Sequence, residues 1–78
     1  MAETLREKVT MALKEAAGAD AHIQLEDAPG GEIGGIVLSR SFARLTSSER
    51  QDRIWMFLDQ RLSPSERSRI TFIVTDTP

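Results

Sequence analysis

The residues with the clearest chemical potential in this 78-residue sequence are arginines. Seven of them lie between residues 40 and 69, and the half of the chain from residue 40 onward contains no lysine. A guanidinium group is a planar fork of donors that matches phosphate and carboxylate groups, so these side chains are candidates to bind nucleic acid or an acidic partner. The five that we single out as contact residues are Arg44, Arg50, Arg53, Arg67 and Arg69.

A simpler interpretation is that the arginines neutralise neighbouring acids on a solvated helix surface. Glu49 and Arg53, four residues apart, have the spacing of a helical ion pair. Residues 1–39 sum to −4, from three Lys/Arg and seven acids, and residues 40–78 sum to +2, from seven Arg and five acids. Because the whole chain is acidic, with a net charge of −2, nucleic-acid binding is the alternative rather than the leading hypothesis.

Catalysis and metal binding find little support among the remaining residues. The chain has no cysteine and one histidine, His22, which alternation places on the polar side of a strand; one imidazole without a second ligand is a poor metal site. Ser47 and Ser48 have no neighbouring histidine or lysine that could act as a base. We therefore predict a non-enzymatic protein without metal or cofactor.

The size and composition of the chain predict one domain over residues 1–78. The apolar fraction of 40% is ordinary for a globular protein, and with no cysteine its stability must come from packing and hydrogen bonds. The N-terminal sequence MAETLREK has charges where a signal peptide has an apolar run, and no stretch approaches a membrane span. We expect a cytoplasmic protein.

Three helices are predicted, each beginning with a capping box, in which a Ser or Thr side chain and a Glu three residues later bond to each other's backbone N–H. The first runs from Thr4 or Leu5 to Ala17, the second follows Thr46, and the third is a short turn that begins at Pro64 and reaches about Arg69. Apolar residues at spacings of three and four give the first two helices one buried side.

Three strands are predicted: Ala21 to Glu26, roughly Ile33 to Arg40, and Ile70 to Thr75. The first alternates strictly between apolar and polar residues, which is typical of a sheet with one face on the core. The segment from Asp27 to Glu32 is a turn by composition. Gly34 and Gly35 predict a bulge or a frayed strand entry, with a loop that extends to Gly35.

The order αββα(α)β predicts an α+β fold with a three-stranded mixed sheet. The first two strands form a hairpin, and a right-handed crossover makes the third parallel to one of them. Both long helices should cover the same side of the sheet and leave a polar opposite face. We expect the aromatic side chains in the core: Phe42, Trp55, Phe57 and Phe72.

The segment Ile36-Val37-Leu38-Ser39-Arg40-Ser41-Phe42-Ala43-Arg44-Leu45-Thr46 resembles the strand-to-helix segment of the BolA family. It has the apolar strand, the Ser, the Phe three residues later and then Leu-Thr, and Arg53-Ile54 and the closing Thr77-Pro78 are similar as well. The resemblance covers nearly the whole chain by layout and about twenty residues by motif. It implies the BolA fold, which has a layout like that of type II K-homology domains.

The resemblance implies a small protein that partners monothiol glutaredoxins and shares a [2Fe–2S] cluster with them; some members bind DNA as stress-linked regulators of transcription. The family's ligand histidines have no counterpart here: Asp52 precedes Arg53, Ser68-Arg69-Ile70-Thr71 leads into the last strand, and the hairpin loop has neither His nor Cys. Since the cluster needs thiolate or imidazole ligands, we expect an interaction or regulatory domain that lacks the family's cluster ligands.

Overall fold

The computed structural model describes residues 4–78 and has the predicted order of helices and strands. A 3-10 turn joins the first two strands, and a second one leads from the sheet into the long central helix. The helices are α1 (Leu5–Ala17), α2 (Ser47–Arg61) and α3 (Pro64–Arg67), the strands are β1 (His22–Ala28), β2 (Glu32–Leu38) and β3 (Ile70–Asp76), and the 3-10 turns are Pro29–Gly31 and Arg40–Arg44.

All three predicted capping boxes are confirmed. At the start of α2, the Glu49 N–H donates to Thr46 Oγ1 at 3.2 Å, and the Thr46 N–H donates to Glu49 Oε1 at 2.8 Å. The same reciprocal bonds open α1 and α3. Each box satisfies backbone donors that a helix start leaves without partners, so these local sequence signals fix where the helices begin.

The sheet is mixed and has the strand order β1-β2-β3. β1 pairs with β2 in antiparallel fashion, and β3 lies parallel to β2 on its other side, as predicted for a strand that returns after a helical crossover. β2 is therefore the central strand, and β1 and β3 are the two edges. The fold is α+β with the helices packed on one face of this sheet.

The hairpin differs from the prediction. β1 continues to Ala28, and Gly34 and Gly35 are paired in regular register with Glu26 and Leu25, so the connection is only the turn Pro29–Gly31. The prediction of a long glycine-rich loop was wrong. Glycine favours strands only weakly, but pairing with the neighbouring strands keeps both glycines in the sheet. An irregularity does occur beside Gly34, but in the pairing of β2 with β3.

The hydrophobic core lies between the sheet and the helices α1 and α2. Phe42, Leu13, Ile54 and Leu58 are its largest buried side chains, and the sheet contributes residues such as Val37. Trp55 and Phe57 are half-buried at its margin. None of the helices in the described part of the chain has the length and apolar character needed to cross a membrane.

Two predictions about the opposite side of the sheet were wrong. Phe72 was expected in the core, but 45% of it is exposed, and Val74 beside it is 48% exposed. The face that the helices leave uncovered was expected to be polar, which holds for β1 only. The polar pattern of β1 does not extend to β2 and β3, whose apolar residues occur at both odd and even positions.

Candidate functional site

The side of the sheet away from the helices is the most distinctive surface of the described residues, and we call it the open face. Side chains alternate along each strand, and the register brings alternate residues of the three strands together on this side. Its members are His22, Gln24, Glu26 and Ala28 of β1, Glu32, Gly34, Ile36 and Leu38 of β2, and Phe72, Val74 and Asp76 of β3.

Four apolar side chains form a contiguous patch on the open face, which we call the apolar stripe: Ile36, Leu38, Phe72 and Val74. Ile36 and Val74 are register partners, and Phe72 lies in the preceding row beside Gly34. Leu38 continues the stripe one row further, opposite Asp76. Single exposed apolar residues are ordinary, whereas a contiguous patch on an uncovered layer is typical of an interaction surface.

Gly34 determines how the Phe72 ring lies on the open face. A Cβ atom at Gly34 would come within 2.4 Å of Phe72 Cε1 and 2.6 Å of Cζ. The ring therefore occupies the space that a side chain at this position would need, and it covers the backbone of the central strand. This close approach explains why a glycine is accommodated inside the central strand of the sheet.

The charged strand residues of the open face are acidic, while Arg40 and Arg69 lie just beyond the two ends of β2. The strand residues of this face include three carboxylates, Glu26, Glu32 and Asp76, and no Lys or Arg among those that the structure describes. Glu26 lies in the same row as Gly34 and Phe72, and Asp76 lies at the other end of the stripe, in the row of Leu38. An apolar stripe with an acidic rim repels phosphate groups and favours an apolar surface flanked by positive charge.

Each edge strand of the sheet has one backbone carbonyl that accepts a hydrogen bond from a helix side chain. Arg6 of α1 donates from Nη2 to the Leu25 carbonyl of β1 at 3.2 Å, and Gln51 of α2 donates from Nε2 to the Ile73 carbonyl of β3 at 2.8 Å. Leu25 and Ile73 lie in the same row, on either side of Gly35. An occupied carbonyl cannot pair with an added strand at that row, so the middle of each edge is less suited to strand addition.

Four of the five arginines predicted as contact residues make bonds within the chain. Arg50 Nε donates to the carbonyls of Phe42 at 3.0 Å and Leu45 at 3.2 Å, which fixes the 3-10 turn against α2. Arg53 Nε donates to the Ala16 carbonyl at 2.6 Å and so satisfies the end of α1. Both side chains thus have a structural role.

The other three arginines have different surroundings. Arg67 pairs with Asp59, and its guanidinium carbon lies 5.1 Å from the centroid of the Trp55 ring. Arg69 Nε donates to the Gly31 carbonyl at 3.0 Å and joins β3 to the hairpin turn. Arg44 is exposed at the end of the second 3-10 turn. Contact of these arginines with nucleic acid stays a prediction.

His22 lies exposed on the open face, as predicted, at one end of the sheet. It borders an open cleft of about 570 Å³ that is also lined by Asp20, Leu38 and Arg40. Among the residues described, no three His, Asp or Glu side chains come together as a metal site. The cleft therefore offers mixed charges at the end of the apolar stripe and no set of metal ligands.

The Ser of the strand-to-helix segment has a structural role. Ser39 is buried, and its hydroxyl donates to the Ala17 carbonyl at 2.6 Å; the Ser41 hydroxyl donates to the same oxygen at 3.0 Å. Together they satisfy the C-terminal end of α1, where carbonyls have no partner within the helix. The segment on which the family resemblance rests thus attaches the end of α1 to the residues that follow β2.

An ion pair between α1 and α3 causes the clearest pKa shift among the described residues. Lys8 of α1 and Glu66 of α3 form a half-buried ion pair at 2.8 Å. The hydrogen bond from Lys8, followed by that from the Ser63 backbone N–H, lowers the pKa of Glu66 from its ordinary value of 4.5 to about 2. The pair attaches the short third helix to the first.

The sequence predictions missed the four residues of the apolar stripe. A signal for them was present, because β3 reads Ile-Thr-Phe-Ile-Val-Thr and β2 reads Ile-Gly-Gly-Ile-Val-Leu, with large apolar residues on both alternating sets. Such runs are typical of strands that have apolar side chains on both faces. With helices on one side only, the second set stays uncovered.

A scan against protein-family models and a search of curated proteins give no match to this chain. The resemblance to the BolA family therefore stays a prediction, and the geometry of the surface is the basis for the function proposed below.

Proposed function

We propose that this chain is a non-enzymatic, BolA-like interaction domain that binds a protein partner through the open face. The observation that carries the proposal is the apolar stripe, which is uncovered on a sheet whose edge strands each have a central carbonyl bonded to Arg6 or Gln51. Phe72 and Val74, both nearly half exposed, supply the apolar area that a partner would bury. Burial of such area is the main driving force of protein association.

The partner that the resemblance implies is a monothiol glutaredoxin. An iron–sulfur cluster has no role in the proposal, because the chain's residues do not fit one: it has no cysteine, and His22 is its single histidine. Cluster irons are held by thiolate or imidazole. Binding would therefore depend on surface contact rather than on ligands that this chain donates.

A titration of the full chain with a monothiol glutaredoxin, apo and cluster-loaded, tests the proposal. We expect saturable binding that is weakened strongly by Val74→Lys, which places a charge in the apolar stripe. Met56→Lys is the matched control, because Met56 is 51% exposed but lies on α2. No binding of either glutaredoxin form would remove this partner, and equal effects of the two variants would remove the open face as the surface.

A further inference from the structure

We propose that the open face binds an amphipathic helix of a partner protein, with lysine or arginine residues flanking its apolar side. The inference rests on the proposed use of the open face for binding, but not on the identity of the partner as a glutaredoxin. It is drawn from three properties of the face: the length of the apolar stripe, the occupied carbonyls at its edges and the acidic residues on its own strands.

The length of the stripe fits a short helix. It covers three rows of the sheet, from the row of Gly34 and Phe72 to the row of Leu38 and Asp76. Four residues along a strand span about 13 Å, and helix residues i and i+8 are separated by about 12 Å. A helix with apolar residues at i, i+4 and i+8 can thus contact all three rows and complete a helix–sheet–helix sandwich.

The occupied carbonyls at the middle of both edges make an extended strand a less suitable ligand than a helix. A bound strand gains affinity from backbone hydrogen bonds to an edge strand. Here the Leu25 and Ile73 carbonyls already accept bonds from Arg6 and Gln51. A helix satisfies its own backbone groups, so it can use the apolar stripe without competing for these carbonyls.

The acidic residues of the open face favour a helix with basic residues beside its apolar side. Glu26, Glu32 and Asp76 flank the stripe, and none of the described strand residues on this side is Lys or Arg. Arg40 and Arg69 lie beyond the ends of β2, and Arg69 is bonded to the Gly31 carbonyl, so the carboxylates are the charges beside the stripe itself. Basic residues beside the apolar side of the helix would complement this rim, whereas acidic ones would be repelled. A second copy of the chain would bring the same carboxylates to the contact, which disfavours pairing of two open faces.

Two fluorescently labelled helical peptides of 18 residues test the inference. Both carry leucine at i, i+4 and i+8; one has flanking lysines and the other has glutamates at the same positions. Anisotropy titrations with the full chain at low salt should show that the lysine peptide binds at least about tenfold more tightly. Val74→Lys should abolish this binding, and Met56→Lys should not.

The acidic rim is tested by Glu26→Gln combined with Glu32→Gln. We expect the pair to weaken binding of the lysine peptide between about two- and tenfold, while Asp52→Asn, an exposed acid on α2, leaves it unchanged. Equal affinity for both peptides would overturn the charge selection and leave the proposed function intact. Absence of binding by either peptide would overturn the helix proposal, and the glutaredoxin titration would then judge the proposed function separately.

Sedimentation of the unlabelled chain tests whether a second copy of the chain covers the apolar stripe. We expect a monomer at the peptide-binding concentrations. A dimer that Val74→Lys dissociates would show that a second copy covers the stripe, and it would overturn the inference in favour of self-association.

Discussion

Ser39 and Ala17, separated by 22 positions, are joined by a 2.6 Å hydrogen bond from the Ser39 hydroxyl to the Ala17 carbonyl. The bond is buried, and it ties the end of α1 to the exit of the central strand. Ser39 Oγ also accepts the Ser41 N–H at 3.2 Å and so starts the 3-10 turn that leads to α2. The Ser39 side chain therefore connects the end of α1, the end of β2 and the 3-10 turn that follows β2.

Ser39→Ala should lower the free energy of unfolding by about 1–2 kcal/mol, because it removes a buried hydrogen bond and leaves polar groups less well satisfied. Ser48→Ala, at an exposed position in the first turn of α2, should change it by less than about 0.5 kcal/mol. Urea unfolding followed by circular dichroism measures both. Equal stability of the two variants would contradict a structural role for Ser39.

Gly34→Ala should destabilise the protein by about 1–3 kcal/mol, because the new Cβ would collide with the Phe72 ring. In a Phe72→Ala background the same change should cost much less, since the colliding atoms are gone. A double-mutant cycle measured by urea unfolding gives the coupling between the two positions. Additive effects would show that the ring is not held against Gly34.

The capping boxes and the Gly34–Phe72 contact show which features are accessible from sequence. The boxes at Thr46 and Ser63 were predicted because each depends on residues three positions apart. The position of Phe72 depends on its pairing with Gly34, 38 positions away, and on which face of β3 the helices cover. Neither is encoded in local periodicity, so Phe72 was assigned to the core and the apolar stripe was missed.

The arginines illustrate the same limit for the candidate site. Their spacing predicted surface contacts, but the acceptors of Arg50 and Arg53 are backbone carbonyls of other elements, Phe42 and Leu45 for one and Ala16 for the other. Such acceptors are present in every sequence and carry no side-chain signature. The structural use of these two residues could therefore not be predicted from their spacing with Glu49.

Acid should weaken the protein through the Lys8–Glu66 pair. The folded-state pKa of Glu66 is depressed to about 2 from an ordinary 4.5, so this contribution to stability is present above about pH 4.5 and is lost as the pH falls toward 2. In Glu66→Gln, the loss of stability between these pH values should be smaller than in the wild type. Urea unfolding at several pH values measures the difference.

Lys8→Met is the companion variant, because it removes the first cause of the pKa shift and leaves the Ser63 N–H in place. It should also flatten the acid dependence, by less than Glu66→Gln does. If all three proteins lose stability in parallel between pH 4.5 and 2, the carboxylate of Glu66 is not depressed as the structure indicates.

Arg50→Ala should lower the free energy of unfolding by about 1–3 kcal/mol, because its charged donor bonds two carbonyls of the 3-10 turn. Arg44→Ala, at an exposed position, should be nearly neutral.

Neither wild type nor Arg44→Ala should retard nucleic acid in an electrophoretic shift assay at low salt. Retardation by the wild type that Arg44→Ala reduces, and that disappears with rising salt, would instead support the nucleic-acid alternative.

Removal of the two edge contacts should expose the sheet to strand addition. Arg6→Ala combined with Gln51→Ala frees the Leu25 and Ile73 carbonyls, and unpaired edge groups are templates for association with another chain. Sedimentation velocity over a range of concentrations should show self-association of the double variant, with the wild type as reference. Gln60→Ala, at an exposed position near the end of α2, should behave as the wild type does.

Because the open face is unchanged in the double variant, combining it with Val74→Lys separates the two routes of association. Association through an edge persists in that background, whereas association through the apolar stripe is lost.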